Sequence, residues 1–274
     1  MKFTGANVLM GGLQGTFDGH AHVFAKDLNM IQDRRYTPAK DALLSDYAAA
    51  LKRAGLDGGI LVQPSFLGTD NSYMLNALRG RFRGESITLR GVAVLPPTAS
   101  FTEVAEMDEA GIVGLRFNLY GKKNLDASFF DPWKSLLNRV SDMGWHVELH
   151  CESHAMAHLL PLLLQRAERV VVDHFGLPDS DSPYACPGQD AILSAPFGRV
   201  FVKASAPFRV FRAQESNRAA DLCAPILMRL ANHIGPDRIL WGSDWPWTQF
   251  EDRHTFDMTV GWGNMWSEAC YVSA

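Results

Sequence analysis

The chain is short of several things. No apolar run approaches the ~20 residues of a membrane-spanning helix, so no span is expected. Cysteine is scarce: Cys151, Cys186, Cys223 and Cys270 are spread thinly over 274 residues with no CxxC spacing. A disulfide scaffold or a zinc ribbon is therefore not expected, and a reducing compartment is. Positive charge is not in excess. The 26 Lys and Arg against 30 Asp and Glu leave a net charge of −4, with no electrostatic reason for a nucleic-acid partner. Residues 1–15 carry one lysine and no long apolar stretch, unlike a signal peptide. A cytoplasmic location follows by default. There is no internal repeat, no low-complexity tract, and no glycine-rich phosphate turn after the first β-rich run.

What is present is an ordinary globular composition, 47% hydrophobic and 20% charged. Its length suits one large domain over residues 1–274. Eight short β-rich runs recur, at residues 17–23, 59–63, 90–95, 113–119, 146–151, 170–174, 200–205 and 239–244. Most are apolar, as strands covered on both faces should be. Helical spacing separates them, most clearly at 42–54, 132–143, 157–167 and 221–233. Eight strand–helix alternations predict an α/β fold, a (β/α)8 TIM barrel. The 30 residues after Asp244 show no clear amphipathic pattern, so an atypical or missing last helix is expected.

Two segments carry the chemistry. Asp18-Gly19-His20-Ala21-His22 ends the first run, and Trp241-Gly242-Ser243-Asp244-Trp245-Pro246 ends the last. Strand residues i and i+2 share a side, so His20 and His22 can aim at one point. A closed barrel would bring Asp244 to them. Other polar residues fall at strand ends: Ser65, Arg116, Asn118, His150, His174 and Lys203. Asp173 is expected to face away from His174, because neighbours in a strand alternate. Imidazoles and a carboxylate converging in a pocket form a site for activating water. Each residue also has a plain structural reading, as a satisfied interior histidine or a turn-capping aspartate. His154 and His158 would share a helix face, more consistent with a solvated surface than a site.

His-x-His on strand one, His on strands five and six, and Asp on strand eight resemble the amidohydrolase superfamily. Asp33-Arg34-Arg35-Tyr36-Thr37-Pro38-Ala39, Val62-Gln63-Pro64-Ser65, Gly68-Thr69-Asp70-Asn71, Gly114-Leu115-Arg116-Phe117-Asn118 and Asp173-His174-Phe175-Gly176 are similar to its lactonase branch. That branch includes pyrone-dicarboxylate and sugar-acid lactone enzymes of aromatic and sugar-acid catabolism. The resemblance implies hydrolysis of a carboxylated lactone. Asp244 would activate water, with His20, His22 and His174 around the carbonyl. Arg116, Lys122 and Arg209 would hold carboxylates, and Tyr36, Ser65 and His150 would contact substrate. One departure stands out: Leu177 occupies the place of an arginine in the pyrone enzymes.

The resemblance requires no cofactor. His20, His22, His150 and Asp244 would nevertheless supply enough ligands for a single zinc. A second metal is not expected, because Arg116 and Asn118 stand where binuclear members place a bridging lysine or glutamate. Two alternatives to a lactonase stay open. One is a zinc-dependent amide hydrolase or decarboxylase; the other is a barrel that binds a small acid without turning it over. Oligomeric state is not legible.

Overall fold

The computed structural model describes residues 3–80 and 87–272. A short helix, α1 (Gly5–Leu9), precedes the first strand. Then follow β1 (Phe17–Ala21), α2 (Leu44–Arg53), β2 (Gly58–Val62), α3 (Ser72–Arg79), β3 (Thr88–Ala93), α4 (Phe101–Ala110) and β4 (Ile112–Asn118). The second half holds α5 (Lys134–Asp142), β5 (His146–His150), α6 (Ser153–Leu164), β6 (Val170–Val172), α7 (Pro187–Leu193) and β7 (Val200–Ala204). It finishes with α8 (Pro207–Val210), α9 (Ser216–Ile234), β8 (Ile239–Trp241) and α10 (Phe256–Val272). The eight strands pair in sequence order, all parallel. The expected (β/α)8 architecture is present.

Local chemistry sets several boundaries. Ser100 and Glu103 form a reciprocal capping box at the start of α4, and Gly111 ends it with φ 103°. Glu215 caps α9 by accepting from the backbone of Asn217 and Arg218. His154 and His158 of α6 are exposed, as a solvated face requires.

The seam between β1 and β8 is closed differently from the other seven. Backbone bonds run from His22 N to Trp245 O (2.7 Å) and from Asp244 N to His20 O (2.8 Å). Asp18 completes it, accepting from Ser243 N (2.8 Å), Ser243 Oγ (2.5 Å) and Tyr47 Oη (3.0 Å). Close approach demands glycine on both sides. A Cβ on Gly19 would lie 2.8 Å from the Trp241 carbonyl oxygen, and one on Gly242 would lie 2.7 Å from His20 Cβ.

The last helix is not missing. α10 runs for 17 residues and packs on α9, with Trp266 Nε1 donating to Ala220 O and Trp262 Nε1 to Asn217 Oδ1. Trp241 Nε1 of β8 donates to Thr259 O. Its 3.6-residue apolar stripe is blurred because it is clasped between α9 and the barrel wall, which leaves few positions free to be polar. No helix among the described residues is long and apolar enough to cross a membrane.

Candidate active site

The barrel interior is layered. Next to α1, inward side chains are apolar: Phe17, Ile60, Val62, Val92, Val171, Phe201 and Leu240 pack on Ala6, Leu9 and Met10. Above them the same strands carry charge. Arg116 of β4, Glu148 of β5, Asp173 after β6 and Lys203 of β7 are all buried, with His20 of β1 among them. Arg116 Nη2 meets Asp173 Oδ2 at 2.7 Å and Arg116 Nε meets Glu148 Oε1 at 3.0 Å. Lys203 Nζ reaches Glu148 Oε2 at 2.5 Å and His20 Nδ1 at 3.0 Å. Two cations thus face two carboxylates, which is how buried charge is tolerated.

At the mouth the imidazoles and Asp244 converge as expected. His20 Nε2 and His22 Nε2 are 3.2 Å apart. Asp244 Oδ1 lies 3.6 Å from His20 Nε2, 3.7 Å from His22 Nε2 and 3.9 Å from His174 Nε2. Its other oxygen, Oδ2, is clamped by Arg209 at 2.8 and 2.9 Å. Oδ1 is buried with no hydrogen-bond partner among the described residues. It is a free lone pair aimed into a polar centre. The Arg209 guanidinium and the surrounding imidazoles hold the Asp244 carboxyl well below its ordinary range, against the cost of burial. Burial drives His20 and His150 well below the usual histidine value, and His174 down to about 4. At neutral pH the Asp244 carboxylate therefore stands beside the neutral imidazoles of His20 and His174. Below it, burial and the Asp173 charge push Glu148 up to about 7, while Arg116 and Lys203 hold Asp173 low.

Strand ends differ from the sequence reading, and that changes which side chains meet. β6 stops at Val172 and β8 at Trp241. Beyond them the backbone turns left-handed at His174 (φ 49°), Phe175, Leu177 and Asp244 (φ 58°), as it does at Ala206 after β7. Such non-glycine conformations are strained and cluster at functional sites. The turn at His174 defeats strand alternation. Asp173 and His174 both point inward, and with His20 they bring ligand atoms within 4.8 Å of one another. The expectation that Asp173 faces away is corrected.

Above the centre lies a cavity of about 240 Å³. Its walls include Tyr36, Ser65, Arg116, His150, His174 and Arg209. Lys122 does not join them: it is exposed on the loop after β4. Tyr36 Oη donates to Glu251. His150 faces the His174 ring, with centroids 5.1 Å apart. It lies outside the His20–His22–Asp244 group, so its place in the expected zinc set is corrected. Arg35, part of the Asp33–Ala39 motif, also lines the cavity, as does Arg212, which was not singled out from the sequence. Arg212 has no hydrogen-bond acceptor among the described residues and stands over the Tyr120 ring, 5.6 Å from its centroid. Glu148 went unread, although the alternation His146-Val147-Glu148-Leu149-His150 marks its side of the strand as polar.

The donor spacing suits a divalent cation. His20 Nε2, His22 Nε2 and Asp244 Oδ1 form a triangle of 3.2, 3.6 and 3.7 Å. A common point about 2.0–2.1 Å from each corner, the usual zinc bond length, exists for such a triangle. His22 Nδ1 donates to the Val62 carbonyl (2.8 Å), leaving its Nε2 lone pair bare.

A barrel with a His-x-His first strand and an aspartate after the eighth defines a class, and the family comparison agrees. The amidohydrolase family profile matches residues 17–260, so this chain belongs to the amidohydrolase family. It is 30% identical over 251 residues to the 2-pyrone-4,6-dicarboxylate hydrolase of Comamonas testosteroni, covering 87% of this chain and 79% of that one. It is 28% identical over 245 residues to the 4-sulfomuconolactone hydrolase of Rhizobium radiobacter, covering 87% and 78%. A crystal structure from Pseudomonas putida, provisionally assigned as a 2-pyrone-4,6-dicarboxylic acid hydrolase, superposes with TM-score 0.81 at 35% identity, covering 94% of both chains.

Proposed function

We propose that this protein hydrolyses a small lactone bearing an anionic group, with Asp244 as the base. The observation that carries this reading is the unpartnered Asp244 Oδ1, aimed at three imidazoles beneath a cavity walled by arginines. Water held at Oδ1 gives a proton to Asp244 as its oxygen attacks the lactone carbonyl carbon. The carbonyl oxygen takes up the negative charge, and imidazole N–H groups at the centre stabilise it. Collapse breaks the ring C–O bond, Asp244 returns the proton it took from water to the leaving ring oxygen, and the new carboxylic acid gives up its own proton to solvent. Relatives named for a dicarboxylate and a sulfonated lactone support the anionic substrate.

Anchoring falls to cations not already saturated. Arg116 and Arg209 line the cavity but are committed to carboxylates of the protein. Arg212 has donors to spare, and Arg35, which donates to the Tyr120 carbonyl and Asn118 Oδ1 rather than to a carboxylate, packs on the same Tyr120 ring. Arginine's planar fork suits a carboxylate or a sulfonate. Tyr36 and Ser65 border the same space. A divalent cation, when bound, would be held by His20, His22 and Asp244 and would supply Lewis-acid polarisation of the carbonyl.

The test is a panel of carboxylated and sulfonated single-ring lactones, followed by proton release with and without chelator. Hydrolysis of at least one member is expected, and Asp244→Asn is expected to lower kcat about a thousandfold with binding largely kept. Wild-type turnover in that variant, or no hydrolysis across the panel, overturns the reading.

A further inference from the structure

Lys203 lies directly beneath His20, and the hydrogen bonds around that imidazole form a directed chain. A neutral imidazole carries one N–H and one bare nitrogen. At the far end, His22 Nδ1 must donate, because its partner is the Val62 carbonyl (2.8 Å). His22 Nε2 is then bare, so the 3.2 Å contact between the two Nε2 atoms needs its proton on His20. At the near end, Lys203 Nζ has only donors to offer and lies 3.0 Å from His20 Nδ1. That nitrogen must be bare. Both ends select the same tautomer, with Nδ1 bare and Nε2–H facing the centre.

The rival arrangement is also in place. Asp173 Oδ1 is 3.3 Å from His20 Nδ1. An Nδ1–H donated to that carboxylate would free Nε2 for a cation, the usual arrangement around metal-bound histidine. Yet Asp173 Oδ1 makes no hydrogen bond among the described residues, whereas Lys203 does bond His20. Lys203 is itself fixed by Glu148 Oε2 at 2.5 Å. We propose that Lys203 is a positioning residue that locks His20 with Nε2–H toward the cavity, and so biases the His20–His22–Asp244 trio to proton chemistry against a divalent cation.

This goes beyond the lactone reading and does not depend on it, because its readouts are a tautomer and a metal affinity. The first measurement uses the metal-stripped wild-type protein labelled with nitrogen-15 histidine. Long-range proton–nitrogen spectra, with His20 assigned by its loss in His20→Gln, should show Nδ1 bare and Nε2 protonated. A protonated Nδ1 overturns the proposal and needs no variant to fold. The second measurement compares zinc affinity, by competition with a chromogenic chelator, between wild type and Lys203→Met/Glu148→Gln. That pair removes one buried charge of each sign. Zinc should bind about ten- to a hundredfold tighter in the double variant, with the His20 proton moved to Nδ1. Unchanged or weaker zinc binding in a folded double variant overturns the proposal. So does wild-type protein that holds one equivalent of zinc against the chelator.

Discussion

The two halves of the barrel interior are built by the same strands and have opposite character. Phe201 and Lys203 are two residues apart on β7, as are Val171 and Asp173 at the end of β6. The lower member of each pair packs against α1 in an apolar plug, and the upper joins a buried ionic lattice. Period-two geometry puts both on the inside, so only height in the barrel separates a packing role from a polar one. The lower half draws its stability from burial, about 25 cal/mol per Å² of apolar surface. The upper half spends stability on desolvated charge and strained backbone, and gains a rigid constellation at the mouth.

That contrast can be attacked from either end. The largest stability loss is expected in the upper half, from Arg116→Met. It would remove one of the two cations that Glu148 and Asp173 share, leaving two buried carboxylates on Lys203, at a cost of about 3–5 kcal/mol. Denaturant titration checks this, and a loss within error of zero would show that the lattice is not held by charge. In the lower half, Leu240→Ala should cost about 2–5 kcal/mol through the cavity it opens. In that variant KM and kcat should stay near wild type at a temperature where it is folded. A matching loss of kcat would mean that the two halves are mechanically coupled.

At the rim, Arg212→Met should raise KM about tenfold for an anionic lactone, with kcat little changed. An unchanged KM would remove Arg212 from the anchoring role. The smallest effect is expected from pH. The Asp244 carboxyl is held low and His174 is lowered to about 4. Both groups therefore keep their working forms across the neutral range. Turnover should fall only as pH drops through about 4, where His174 gains a proton and pairs with the base. A pH–rate profile with an acid limb near 6–7 would contradict that ordering.

How much was legible depends on where regular backbone stops. His20 and His22 could be read as convergent because the i, i+2 rule holds through Ala21, despite a register shift on β1. The shared inward aim of Asp173 and His174 could not be read, because Asp173 keeps the extended alternation from Val171 while the left-handed turn at His174 breaks it. Lys122 follows a strand closely in sequence, yet the loop carries it into solvent. Arg212 lies further from its strand and reaches the cavity, because α8 folds the chain back over the mouth. The last helix hid for another reason: polar Thr259 and Ser267 are buried along with Trp262 and Trp266, while Met258, Val260 and Met265 are only partly covered, so apolar and polar residues do not sort onto opposite faces.

By itself the sequence determined the eight-fold alternation, the apolar strands, and the placing of histidines and Asp244 at strand ends. These follow from local periodicity and need no knowledge of neighbours. Only the tertiary structure decided which oxygen of Asp244 stays free, which arginines are already neutralised, and that Lys203 and Asp173 compete for one imidazole nitrogen. Those outcomes turn on distances of a few ångströms between residues up to 225 positions apart in the chain. Coulomb and hydrogen-bond energies vary steeply over that range, and strand pattern carries no record of it.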